Sequence, residues 1–292
     1  MKRKVLPVLF VVAAVCIMSH AQAEPIKLEY KFTKGEVDKY KVATDITVQG
    51  VGAASMTIPR INMTVKSTML QKTIEVMDDG SAVVEITTKD AQTTGSLSSQ
   101  ASSIPDSKVK VTISKLGQVS SIEAAETSEG NSGNVGANLS KIFGQAGQNV
   151  IFPSDPVDVG SSWQSSYSML YGGGSISINS TLASSEEQLW DQSAARIKQN
   201  YSGTMDLAQV LRAVAGNMQG EQAQVLQSLT GSVNLKGTAD FCFAPVLGKV
   251  LTGSGITNGI ISINLPMAVS QSDNPTTVCA NVDVKISVTR FK

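Results

Sequence analysis

From Val278 to Val288 six apolar side chains, Val278, Ala280, Val282, Val284, Ile286 and Val288, take every second position, with Cys279, Asn281, Asp283, Lys285 and Ser287 between them. A period of two puts one set of side chains on each face of a β-strand, and no helix can present it as a single face. The pattern recurs at 26–32, 40–48, 82–86, 109–113, 163–171, 233–243 and 261–269. The chain is therefore mainly β: long, curved antiparallel sheets with one solvated face, and one or two helices packed on the concave side.

The pattern is written twice. Gly35 before the Tyr40 run matches Gly160 before Trp163, and the Asp79 turn matches the Asp191 turn. Leu116-Gly-Gln-Val119 likewise matches Leu247-Gly-Lys-Val250, in the same order. This predicts a first β unit over 24–124 and a second over 151–292, separated by a linker with a short helix over 125–150. Pro153 and Pro156 stop that helix, Gly160 turns the chain and Trp163 seeds the second unit. Leu207, Val210, Leu211, Val214, Met218, Val225 and Leu229 recur at helical spacing, which predicts an inserted helix at 206–229.

Four local expectations follow from parity and turn chemistry. Residues 26–32 and 40–48 flank Lys34-Gly35 as a hairpin. The apolar parity changes between Ile61, Met63, Val65 and Leu70, Ile74, Val76, which predicts a bulge or a break. The Ser/Thr/Gln-rich stretch 91–107 predicts a long loop or weak edge, and the glycines at 253, 255 and 259, wrongly spaced for a dinucleotide turn, predict a loop.

Lys2, Arg3 and Lys4, an apolar run from Val5 to Met18 and Ala21-Gln-Ala23 form a secretory signal peptide over 1–23, so the protein is expected to be exported, periplasmic or extracellular. Val15 before Cys16 departs from the pattern of a lipid-anchored cysteine. Cleavage takes the balance of 24 basic and 24 acidic residues to 21 and 24, a net −3. No basic excess points to nucleic acid, and no second apolar run is long enough to span a bilayer.

Cleavage also removes His20, the one histidine. Ser-His-Asp and Cys-His catalysis and His-ligated zinc go with it. Cys242 and Cys279 remain and predict a disulfide, a staple worth roughly 3–4 kcal/mol. Ser107 and Lys110, at S-x-x-K spacing, point to opposite faces of a strand, as do Glu186 and Glu187; Asp78 and Asp79 are turn formers. No catalytic residue, metal site or cofactor is assigned. Met63, Met69, Met205, Leu211 and Met218 are the candidate lining of an apolar ligand cavity between sheet and helix.

Phe32-Thr-Lys-Gly-Glu36 before Tyr40, Pro156-Val-Asp-Val-Gly-Ser-Ser-Trp163 and Lys115-Leu-Gly-Gln-Val119 give the chain its resemblance to a broad group of exported bacterial β-rich proteins of uncharacterised function. Ser161 stands where that group's pattern has Asp. The resemblance implies an envelope or secreted address and no catalytic residues. The expected function is non-catalytic binding of an apolar ligand, a lipid among them, or of another envelope protein. The alternatives are a secreted hydrolase with a carboxylate pair, which no motif supports, and a structural or adhesive component.

Overall fold

A computed structural model describes residues 24–52, 55, 59–96, 98–104, 106–124, 150–168, 174–209, 229–265 and 276–291. They form twelve strands: β1 (Val37–Val51), β2 (Ile61–Val76), β3 (Ala82–Gly95), β4 (Ser98–Ile104), β5 (Ser107–Ile113) and β6 (Val119–Ala124), then β7 (Ser162–Ser168), β8 (Gly174–Leu189), β9 (Gln192–Asp206), β10 (Thr230–Ala244), β11 (Lys249–Leu265) and β12 (Thr276–Phe291). All pair antiparallel in one sheet of order β6-β5-β3-β2-β1-β12-β11-β10-β9-β8-β7, with β4 beside β3. The mainly β reading holds, and both halves lie in a single sheet. The first half meanders outward from β1 and the second returns to β12. The seam between them runs from Lys39 opposite Phe291 to Val51 opposite Cys279.

The sheet is curled strongly at one end. Tyr30 N–H donates to the Lys115 carbonyl in the β5–β6 turn, and the next amide, Lys31, donates to Gly248 in the β10–β11 turn. Those turns are five strand spacings apart, roughly 24 Å of sheet at 4.8 Å per spacing. Consecutive residues reach both only because the sheet wraps round them. Residues 26–32 and 150–157 form the plug of this end. They join through a bridge between Ile26 and Val157, and bury Leu28, Val150 and Phe152 against Leu182, Ile197, Phe241 and Phe243. Two glycine turns admit the plug. A Cβ on Gly117 (φ 86°) would lie 2.2 Å from the Val150 carbonyl oxygen, and one on Gly248 (φ 66°) 2.3 Å from the Lys31 nitrogen. The repeated Leu-Gly-x-Val thus marks where plug backbone crosses the sheet. Among the described residues no ladder joins β6 to β7; at the plug end the gap is spanned by Phe152, donating to Leu116, and by Ile151, accepting from the Trp163 indole.

Several local expectations change. The 26–32 run is extended, but it lies inside the curl instead of pairing with β1, because alternation specifies one apolar face without naming its partner. In β2 the side chains facing inward are Met69 and Thr73, not Leu70 and Ile74. The expected irregularity is present between Lys66 and Thr68 in the pairing with β3, with a second between Thr73 and Glu75, while the β1–β2 register runs unbroken from Val37 opposite Lys72 to Val48 opposite Ile61. Glycines 253, 255 and 259 lie within β11, not in a loop. A Cβ on Gly253 would sit 2.7 Å from Phe241, and one on Gly259 2.6 Å from Leu235, so the glycines let large neighbours lie across the strand. Residues 91–107 contribute the end of β3 and the side strand β4. Of the predicted inserted helix, residues 207–209 are helical, with Asp206 capping the Ala208 amide at 2.8 Å; residues 210–228, and 125–149 of the predicted linker and short helix, lie outside the described residues.

The predicted disulfide is absent. Cys242 and Cys279 are both free thiols on the outer face, as parity implied. Cys242 lies opposite Thr252 on β11, whereas Cys279 lies opposite Ser262. Ten residues of strand, roughly 33 Å, separate those positions, while a disulfide needs Cα atoms within about 7 Å. Parity selects a face and leaves the position along it open.

Candidate functional site

The inner face carries two different surfaces. At the plug end it is sealed: Phe243 meets Phe152 at 4.6 Å and Tyr30 edge-on at 5.5 Å between ring centroids. The Tyr30 hydroxyl accepts from the Val150 amide at 3.0 Å, and burial pushes both the Tyr30 and Tyr40 phenols up, so they stay neutral. Beside these rings sits a buried ionic cluster. Lys249 Nζ donates to Asp38 Oδ2 at 2.7 Å and to Glu36 Oε2 at 3.1 Å. Arg290 donates to Asp38 Oδ1 from Nη2 at 2.6 Å and from Nε at 3.0 Å. The Lys249 and Asp38 side chains are 8% and 6% exposed. The cluster ties the start of β1 to the start of β11 and the end of β12, the strands that meet at the seam.

A cavity of about 30 Å³ lies among Tyr30, Tyr40, Met69, Gln71, Asp38 and Lys249. That is room for one or two waters and far too little for an acyl chain.

Away from the plug the same face opens. Val42, Thr44, Ile46 and Val48 on β1, Ile61, Met63 and Val65 on β2, and Thr257, Ile261, Ile263 and Leu265 on β11 point inward and are only half-buried. Between them the β12 side chains Ala280, Val282 and Val284 form a buried floor. No charged residue occupies an inward position on these strands from Val42 to Gly50, Ile61 to Val65, Gly255 to Leu265 or Val278 to Ile286. Among the described residues the result is an uncharged, mainly apolar trough four strands wide, closed at the plug end, whose Ile261 and Ile263 also pack against the Val233 and Leu235 core.

The methionines predicted as cavity lining separate into distinct places. Met63 is in the trough. Met69 is buried between Tyr40 and Val288 and borders the small cavity instead. Met205 is fully buried against Ile176, Ile178, Val233 and Leu235, five strands from β2. Leu211 and Met218 lie outside the described residues. Isoleucine and valine carry the trough, and their signal was the alternation itself. The ionic cluster was missed although its signal existed, since Asp38 shares the parity of Tyr40 and Arg290 that of Val288.

The acids that converge at the plug, Asp38 and Glu36, share one lysine, and neither reaches the trough. On the outer face Arg196 holds Asp240 with two nitrogens at 2.7 and 2.9 Å. Burial pushes the neighbouring Cys242 thiol up, which leaves little thiolate at neutral pH. On edge strand β7, Ser165 Oγ is buried without a hydrogen-bond partner.

No family model matches the sequence, nor does any curated protein sequence. Among solved structures the chain is similar to one described as lipid-protein interactions in lipovitellin, at 9% identity and a TM-score of 0.47. The match covers 90% of this chain and 26% of that one, so the chain spans about a quarter of that protein's length. Among the described residues no helix is long and apolar enough to cross a membrane.

Proposed function

We propose that this is a non-catalytic exported protein that holds an apolar ligand, a lipid acyl chain, in the trough over β2, β1, β12 and β11. The observation that carries the reading is the half-buried, uncharged state of inward side chains on strands whose other ends are fully buried. Leaving apolar area wet costs roughly 25 cal/mol per Å². A sheet that seals one end with a dedicated plug and leaves the other uncharged and open has the form of a ligand site. Export rests on the signal-peptide pattern of residues 1–23.

The test is binding of a fluorescent polyene fatty acid to the purified protein. Ile46→Asp combined with Ile263→Asp places two carboxylates against the chain and is expected to weaken binding at least about tenfold, given the cost of burying a charge. Ile256→Asp with Ile260→Asp, on the outer face of β11, is the matched control and is expected to leave binding unchanged. A trough variant that folds like the parent, by circular dichroism and thermal unfolding, and binds the probe equally well would remove the proposal.

A further inference from the structure

The outer face of β1, β2 and β3 carries a cluster that net charge conceals. Thr68 on β2 lies directly opposite Lys41 on β1 and Lys89 on β3, and Lys66 is two residues away on the same face. The three lysines are separated by 25 and 23 residues in sequence, and strand register alone brings them together. All three are exposed. Among the described residues none has a carboxylate partner, and Lys41 makes only a ring contact, 5.6 Å from the Phe291 centroid. Lys39 and Lys72 lie on the same face. The acids there are Asp45, which accepts from Thr64 at 2.7 Å, Glu85, which pairs with Lys108 at 3.3 Å, Glu75, beyond Lys72 at the end of β2, and Asp90.

Lys41 and Lys66 line a shallow groove of about 460 Å³ whose other walls are Thr68, Ser287, Thr289, Gln92 and Asp90. Hydroxyls and ammonium groups together are donors for phosphate oxygens, with a single carboxylate among them. Asp90 sits at a bulge with φ 52°, where Asp90 and Ala91 of β3 stand against the single Ser67 of β2.

We infer that this face docks the protein on a bilayer of anionic phospholipid. Three features favour a membrane over other polyanions. The cations are lysines, point charges without the planar fork that selects individual phosphates or bases. They spread over a broad sheet face. Among the described residues Phe291, whose ring meets Lys41, is the aromatic side chain beside the three lysines, whereas single-stranded nucleic acid is held by a series of stacking rings. The inference is independent of the trough, which lies on the opposite face of the same strands.

The experiment is co-sedimentation of the full mature chain with phosphatidylglycerol-containing vesicles and with pure phosphatidylcholine vesicles, at low and high salt. Each lysine near an anionic leaflet is worth roughly a fivefold change in partitioning. The K41Q/K66Q/K89Q variant is therefore expected to lose on the order of 100-fold on anionic vesicles. High salt should erase the difference from phosphatidylcholine. K198Q/K236Q, on the outer face of the other half, is expected to retain binding, and thermal unfolding checks that both variants fold.

Equal partitioning to both vesicle types, an unaffected triple variant, or an equal loss in the control would overturn the inference. So would tighter binding to heparin or single-stranded DNA than to vesicles, which would mark a general polyanion site. Fatty-acid binding without vesicles reads the trough separately, so either proposal can fail alone.

Discussion

Asp38→Ala is expected to destabilise the protein by about 3–5 kcal/mol, because it leaves Arg290 without its carboxylate and the buried Lys249 with Glu36 alone. The pair energy alone does not set this number. Most of it is the cost of cations that have lost their counter-charge in a place water reaches poorly. The substitutions should accordingly be asymmetric. Lys249→Met is expected to cost clearly less, since Asp38 keeps two hydrogen bonds from Arg290 and the methionine fills the lysine stem's volume beside Phe32. Combining Asp38→Ala with Lys249→Met should recover part of the loss, a coupling that urea unfolding of the four proteins in the cycle measures directly. Additive effects would mean that the cluster is not one electrostatic unit.

Phe243→Ala is the second large effect, again about 3–5 kcal/mol, for a different reason. The ring is fully buried and contacts Tyr30 and Phe152, one from each arm of the plug. Its loss opens a cavity that the curled sheet cannot collapse to fill, and it removes the side chain on which both arms rest. Trp163 reports the consequence, since its indole donates to Ile151 within the plug at 2.7 Å. The other tryptophan, Trp190, is half exposed on a hairpin tip and supplies a constant background. Loosening of the plug should red-shift tryptophan emission before global unfolding. Phe243→Leu, which keeps most of the volume, is expected to cost under about 1.5 kcal/mol. Loss of stability with no change in Trp163 emission would show that the ring supports the sheet without holding the plug.

Much of the fold was legible because period-two patterning states directly which side chains share a face. Val278 to Val288, Tyr40 to Val48 and Val233 to Phe243 all lie as their alternation implied. Leu116-Gly-Gln-Val119 and Leu247-Gly-Lys-Val250 both form turns that plug backbone crosses, at Gly117 and Gly248. What alternation cannot state is the partner of a face or the position along it. Residues 26–32 therefore resembled a hairpin strand and became the plug. Cys242 and Cys279 shared a face but lie at opposite ends of it. The parity change in β2 followed Leu70 and Ile74 and passed over the inward Met69 and Thr73. The trough was legible as apolar strand and not as a site, since half-burial is a property of the assembled sheet. The lysine cluster was invisible to net charge, because three residues from three strands meet only through register.

If the trough binds as proposed, one face of one end of this sheet holds an apolar chain. β11 carries its own control, with Ile261 and Ile263 pointing inward and Ile256 and Ile260 outward and exposed. The direct measurement is methyl NMR of the isoleucine- and methionine-labelled protein titrated with a fatty acid bearing a nitroxide on its chain. Broadening strongest at Ile46, Ile61, Met63, Ile261 and Ile263, and weaker at the outward Ile256 and Ile260 and at Ile197 in the plugged core, is the predicted result. Uniform broadening, or broadening led by Ile256 and Ile260, would contradict the account.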